Sequence, residues 1–272
     1  MEFDLTLTAI LILSAVALVA GFVDSIAGGG GMITIPALMF AGIPPHEALG
    51  TNKFQGVFGT LSATWHFYKK GHLELKKCAL FTAFAFVFAL GGVVAVQVIN
   101  ADILRKAIPF LLMFFALYFL FSPKVSEESS KARISRIALA FIIGAVGFYD
   151  GFFGPGTGSF LMIALISLGG FGIKDALAQA KLYNFATNLA SVLAFAVFGH
   201  IIFAVGVAMA VGQVIGGYLG ARMALKYGIK IIKPLVVIIS MAMCVELMSN
   251  GLISKVGVFI VNVIVNNIIA IF

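Results

Sequence analysis

Charge is scarce in this chain. Only 11% of its 272 residues are Asp, Glu, Lys or Arg, and 61% are hydrophobic, which no soluble globular domain could present to water. Also missing is the alternation of apolar and polar residues, in segments of about 10, that marks the strands of a membrane barrel. The apolar runs here are continuous instead. A helix needs about 20 apolar residues to cross a hydrocarbon core of roughly 30 Å, and such runs recur along nearly the whole sequence. This composition predicts a polytopic α-helical membrane protein.

Cysteine is nearly absent too. Cys78 and Cys244 stand alone, with no CxxC and no His/Cys cluster, so neither metal nor redox work is expected and no cofactor is called for. No nucleophile, metal set or acid–base cluster has workable spacing at membrane depth, which argues against an enzyme. No stretch is long enough for the soluble domain that a sensor or scaffold would use. The start of the chain lacks the positive n-region of a secretory signal, carrying Glu2 and Asp4 instead, and reads as a retained first helix. The net charge of +7 comes from basic residues gathered at the ends of apolar runs. That pattern speaks of orientation in a lipid bilayer with anionic headgroups, and not of nucleic acid.

Glycine, by contrast, is abundant where a helix should not want it. Gly28, Gly29, Gly30 and Gly31 are consecutive inside "GFVDSIAGGGG" (21–31), although each glycine costs a helix roughly 1 kcal/mol relative to alanine. The same design returns in "GFYDGFFGPGT" (147–157), where Gly21, Phe22, Asp24, Gly28 and Gly30 match Gly147, Phe148, Asp150, Gly154 and Gly156 at an offset of 126. "EALGTNKFQG" (47–56) aligns with "DALAQAKLYN" (175–184), pairing Lys53 with Lys181 at an offset of 128, and the same offset pairs Gly71-His72 with Gly199-His200. Gly91-Gly92 pairs with Gly216-Gly217 and Pro109 with Pro234. Four blocks in order make a tandem of two homologous halves, a common plan among secondary transporters.

Apolar segments fall at roughly 3–22, 31–43, 50–68, 77–99 and 103–122, then at 134–150, 157–170, 178–198, 201–224 and 231–249. The expected division is a first transmembrane repeat over 1–122, a polar cytoplasmic linker over 123–135, a second repeat over 136–250 and an extra hydrophobic helix over 251–272. Lys69, Lys70, Lys76 and Lys77 make the loop after the third segment basic, whereas its counterpart "FGHIIF" has no Lys or Arg. Conversely, Arg222, Lys226, Lys230 and Lys233 make a loop of the second half basic, while its counterpart near Asp102 is mixed. Basic loops stay in the cytoplasm. Equivalent loops then lie on opposite sides of the membrane, so the halves are inverted repeats. Arg105 and Lys106 fit this scheme less well. The fold class expected is all-α: a polytopic membrane helical bundle of two inverted-topology repeats with glycine-broken short helices.

The segment that follows Gly31 is too short to cross at 1.5 Å per residue, and so is its partner after Thr157. Paired short, glycine-interrupted segments are the best pointer in a sequence to a transporter's binding site. A broken helix exposes amide N–H groups, and the next helix start carries roughly half a positive charge. Two such starts facing each other suit an anion; the alternative is that the glycines only allow close helix packing. "GPGTGS" (154–159) lacks the Gly-Lys-Ser/Thr ending of a phosphate loop. The candidate substrate-binding residues are Gly28, Gly29, Gly30, Gly31, Asn52, Lys53, Gln55, Gly154, Gly156, Thr157, Gly158, Lys181, Asn184 and Asn188. Lys at membrane depth is usually functional, unless both lysines lie near the interface and snorkel. Asp24 and Asp150 are coupling or structural acids: they pair with the lysines, cap backbone N–H groups, or carry a proton.

"GFVDSIAGGGGMITIPAL", "ALGTNKFQGVFGT", "GFYDGFFGPGTGSF" and "AKLYNFATNLASV" resemble the TauE/SafE, or sulfite exporter, family of bacterial membrane proteins, over roughly residues 10–250. The match is close to a widespread branch of that family. The resemblance implies a multi-pass inner-membrane transporter for sulfite, sulfonates or other small organosulfur or carboxylate anions, and it points to Gly28–Gly31, Asn52-Lys53, Gly154–Gly158 and Lys181 through Asn188. The expectation is therefore a secondary active transporter of a small anion, with alternating access between the repeats. A passive anion channel, or a carrier of small carboxylates, is the alternative. The partners expected are the anionic substrate and the lipid bilayer, and the reading is compatible with a homo-oligomer.

Overall fold

The computed structural model describes residues 7–121 and 131–227, together with Met241 and Val245. Among the described residues all regular structure is helical: α1 (Leu7–Ala27), α2 (Gly31–Phe40), α3 (Pro45–Lys69), α4 (Leu75–Gln97), α5 (Ala101–Phe121), α6 (Arg136–Phe152), α7 (Thr157–Ser167), α8 (Ile173–Val197) and α9 (Phe203–Tyr227). The segment expected at 231–249 and the extra helix over 251–272 lie outside the described residues, apart from the two isolated positions.

Local chemistry explains where the helices begin. Pro45 opens α3, where a fixed φ suits the first turn and no N–H is lost. Ser135 caps α6 by accepting the Ala138 N–H at 3.2 Å. The breaks before α2 and α7 need left-handed backbone: φ is +75° at Gly28, +99° at Gly154 and +83° at Gly156, values that glycine adopts without steric cost.

Two expected boundaries move. The third and eighth helices begin at Pro45 and Ile173, not near 50 and 178, because their first turns carry His46 and Glu47, or Lys174 and Asp175, and hide from a reading of apolar runs. Lys53 and Lys181 consequently sit about two turns inside their helices. α1 continues past residue 22 to Ala27, so Asp24 is helical.

The first helix of each set packs on the fourth helix of the other: α1 lies along α9, and α6 along α4. α3 also meets α9, α8 meets α4, and α3 and α8 touch each other at the centre. Exchanging α1 with α6, α2 with α7, α3 with α8 and α4 with α9 maps this set of contacts onto itself. Bare backbone makes the close approaches, as small residues do between membrane helices. A Cβ on Gly92 would stand 2.0 Å from the Phe148 carbonyl oxygen, and one on Gly216 would stand 2.0 Å from that of Leu18.

Among the described residues three helices are long and apolar enough to cross a membrane: Leu7–Ile26, Leu75–Gln97 and Phe203–Ala224. α3 and α8 reach 25 residues each. They fall short in apolarity, not length, because they bury their polar side chains in the bundle. Outward faces carry exposed Val87, Val94, Phe110, Phe114, Val207 and Val211, a surface suited to hydrocarbon. His46 and His66 lie in the first and last turns of α3, and His72 and His200 in loops; His66 is 7% exposed and meets Tyr218 edge-on.

Replacing Gly92 with Val should lower the melting temperature of detergent-purified protein by an amount equivalent to about 1–3 kcal/mol, the usual cost of overpacking. Gly91→Ala, whose Cβ would rest 3.6 Å from Phe148, should leave the melt unchanged.

Candidate functional site

A lysine taken out of water must find a counter-charge. Lys53, on α3, does so across the molecule: its Nζ is 2.7 Å from Asp150 Oδ1 on α6, with both side chains only 2% exposed. Lys181, on α8, is 2.9 Å from Asp24 Oδ2 on α1 and 1% exposed. It also donates to the Asp24 backbone carbonyl. Of the roles left open for the acids, the structure shows pairing, and each pair joins a helix before the linker to one after it. Neither lysine snorkels to a surface.

Each carboxylate also serves the start of a short helix. Asp24 Oδ1 accepts the amide of Gly30, the N-cap residue of α2, at 3.1 Å. Asp150 Oδ1 accepts the hydroxyl of Thr157, the first residue of α7, at 2.6 Å. The electropositive ends of α2 and α7 thus already face anions, and those anions are the protein's own.

The two breaks meet instead of facing each other across a gap. A Cβ on Gly28 would stand 2.5 Å from Gly158 Cα, and one on Gly158 would stand 2.6 Å from Gly28 Cα. Beside this contact lies a cavity of about 30 Å³, room for about one or two waters. Asp24, Gly28, Gly30, Gly31, Asn52, Lys53, Gln55, Asp150, Gly154, Asn184 and Asn188 line it. The remaining expected residues stand outside the lining: Gly29, Gly156, Thr157, Gly158 and Lys181. Gly156 faces Met32, and Gly158 lies against Gly28 and the Lys181 ammonium.

Gly56, Thr60 and Gln213 also line the cavity. Gly56 and Thr60 follow Lys53 at helical spacing on one face of α3, a signal the sequence held. Gln213 had a fainter one, as the one glutamine in the otherwise apolar first half of α9. It is 4% exposed, and Gly21 and Gly59 leave it room: a Cβ on Gly59 would come within 2.3 Å of its Oε1. Amides crowd the site. Gln55 Nε2 donates to Asn52 Oδ1 at 3.0 Å, Thr34 donates to the same oxygen, and Asn188 Nδ2 donates to Asn184 Oδ1 at 3.2 Å. Among the described residues no group of three or more His, Cys, Asp and Glu could hold a metal ion.

A second cavity, of about 500 Å³, opens among the basic loop residues, with Lys77, Arg136, His72, Asp175 and Gln179 in its wall. His72 Nδ1 is 3.5 Å from Asp175 there. α8 links the two cavities: Gln179 lines the larger, Asn184 and Asn188 line the smaller, and the fully buried Tyr183 between them donates its hydroxyl to Gln179 Oε1 at 2.8 Å. In the other equivalent loop the His200 ring lies 5.1 Å from that of His46. Burial holds the His200 imidazole below its ordinary pKa, with Glu47 pulling the other way.

Comparison with known proteins bears on this geometry. The profile described as Sulfite exporter TauE/SafE matches residues 13–247, which contain both breaks and both ion pairs. The chain belongs to the TauE/SafE family. It is 42% identical over 248 residues to the probable membrane transporter protein ORF9 of Sinorhizobium sp., covering 91% of this chain and 95% of that one. It is 45% identical over 241 residues to the probable membrane transporter protein YfcA of Escherichia coli K12, covering 88% and 90%. A more distant relative, the probable membrane transporter protein YdhB of Bacillus subtilis, is 27% identical over 217 residues, covering 78% and 88%. No solved structure matches. Family membership and the apolar helices make this TauE/SafE protein a membrane transporter.

A double-mutant cycle should expose the ion pair. Lys53→Ala should destabilise the purified protein by about 3–5 kcal/mol, because it strands a buried carboxylate. Adding Asp150→Ala should recover a large part of that loss. Strict additivity in thermal unfolding would mean that the pair is not coupled.

Proposed function

We propose that this protein is a secondary active transporter of a small anion, a sulfur-containing oxyanion or organosulfonate, in the bacterial inner membrane. Two inverted repeats, 1–122 and 136–250 with the cytoplasmic linker 123–135 between them, alternate access to one central site. The observation that carries this reading is the crossing of the two ion pairs. Two lysines, each from a different repeat, meet at the starts of two broken helices in the middle of the bundle. A charge-assisted contact with an ammonium is among the strongest ways to hold an oxyanion.

In this conformation the carboxylates of Asp24 and Asp150 stand in for substrate. Transport then requires the breaks to part, the lysines to leave their carboxylates and the anion to take their place. The wide cavity beside Lys77 and Arg136 is the cytoplasmic vestibule, and Tyr183 with Gln179 forms the barrier between it and the site. The central cavity is too small to conduct an ion, which favours a carrier over a passive channel. A carrier of small carboxylates is the second reading, because the groups that the lysines hold here are themselves carboxylates.

Thermal-shift measurements on purified protein with sulfite, thiosulfate, methanesulfonate and small carboxylates should find at least one ligand that stabilises, by about 2.7 kcal/mol at 100 times its Kd. Lys53→Gln and Lys181→Gln should each abolish that shift; an undiminished shift in both would refute the anion clamp. Inverted threading has a separate check. In a background without Cys78 and Cys244, cysteines at the exposed, equivalent positions Lys70 and Phe198 should be labelled by an impermeant maleimide from opposite faces of the membrane. Labelling from the same face would rule inversion out.

A further inference from the structure

Asp24 and Asp150 occupy equivalent places in unequal surroundings. Both oxygens of Asp24 are engaged, Oδ1 by the Gly30 amide and Oδ2 by Lys181. At Asp150 both donors fall on one oxygen: Lys53 Nζ is 2.7 Å and the Thr157 hydroxyl 2.6 Å from Oδ1. Asp150 Oδ2 is buried and has no hydrogen-bond partner.

A second oxygen of the same cavity shares this condition. Gln55 is 1% exposed, and its Oε1 also lacks a partner. Its amide cannot simply be turned round. Nε2 donates to Asn52 Oδ1, so a flip of Gln55 alone would set two acceptors against each other. Two bare acceptors on one small cavity take a donor: a water, a hydrogen carried by one of the two oxygens, or a small cation in its place. An anion there would only add to their repulsion.

The charge balance selects the proton. With Lys53 and Lys181 charged and Asp24 and Asp150 ionised, the buried site is neutral. An anion entering alone would leave one uncompensated negative charge out of water, which is expensive. One proton taken up with the anion restores neutrality. It also removes the charge that holds Lys53, freeing that ammonium for substrate.

We propose that Asp150, and not Asp24, carries the proton that accompanies the anion, receiving it on Oδ2 with the Gln55 carbonyl oxygen as hydrogen-bond acceptor. This inference rests on the anion-transport reading above. The proton comes from bulk water on the face to which the site opens and returns to bulk water on the other. Only an O–H bond forms and breaks. The charged group paired with Asp150 is Lys53 from α3; Asp24 from α1, itself paired with Lys181 from α8, lines the same cavity and acts on Lys53, and on its own helix Tyr149 turns its hydroxyl to the Pro155 carbonyl. α7 contributes the non-titrating Thr157, and α9 contributes Gln213 to the cavity lining.

The experiment is calorimetric titration of the full-length protein with methanesulfonate, in sodium-free buffers of different ionisation heats, over a range of pH. Methanesulfonate does not itself titrate there, so protons counted belong to the protein. Wild type should take up one proton per anion, with affinity falling about tenfold per pH unit once free Asp150 is ionised. Asp150→Asn should bind without proton uptake and without pH dependence. Infrared spectroscopy of wild type covers the case in which that variant does not fold: methanesulfonate should raise the carbonyl band of a protonated carboxyl. Binding with no proton uptake and no band, binding that requires sodium instead, or uptake that survives in Asp150→Asn would each overturn this inference and leave the anion reading standing. No binding of methanesulfonate at any pH would overturn the reading for sulfonates, and this inference with it.

Discussion

Two buried lysines constrain everything else in this molecule. A Lys at membrane depth costs about 2.5–3.5 kcal/mol to insert, so each must be held by a carboxylate, and each carboxylate comes from the other set of helices. The pairs therefore act as a clasp across the centre. The helices end where they do so that Asp24 and Asp150 can reach both a lysine and the start of the following short helix. Glycine serves the same end twice over. It turns the chain at Gly28 and Gly154, and it lets α1 and α6 lie close enough to α9 and α4 to bring the acids opposite the lysines.

A clasp made of charge can be opened by charge. On the proposed reading the carboxylates hold the lysines where an oxyanion would, so substrate would compete with the protein's own acids instead of falling into a ready-made pocket. The contact of Gly28 with Gly158 closes the centre, while the larger cavity beside Lys77 and Arg136 reaches Gln179, to which Tyr183 is hydrogen-bonded. The asymmetry between Asp24, fully engaged, and Asp150, with one bare oxygen, divides the labour within a nearly symmetric site. One acid keeps the helix start in place. The other is the acid proposed above to exchange a proton.

Much of this was legible in the sequence. The matching of "GFVDSIAGGGG" with "GFYDGFFGPGT" singled out both breaks and both acids, and the alignment of Lys53 with Lys181 singled out the bases. The short helices α2 and α7 follow from glycine's backbone freedom and from the length between punctuating residues. What the sequence could not disclose was which acid meets which base, since no local signal couples residues more than 90 positions apart in the chain. Nor could it show the breaks touching. Gln213 escaped for a related reason: one glutamine in an apolar helix has no periodicity to mark it, and its importance appears only once Gly21 and Gly59 make room for its amide. The starts of α3 and α8 were misplaced because apolar runs reveal where a helix is greasy, not where its backbone begins to coil.

The most direct test is to see an anion in place. Crystals grown with selenate, whose heavy atom can be located by anomalous scattering, should show it between the Lys53 and Lys181 ammonium groups, with at least one lysine released from its carboxylate. Selenate bound only in the cavity beside Lys77 and Arg136, with both crossed ion pairs intact, would contradict the account.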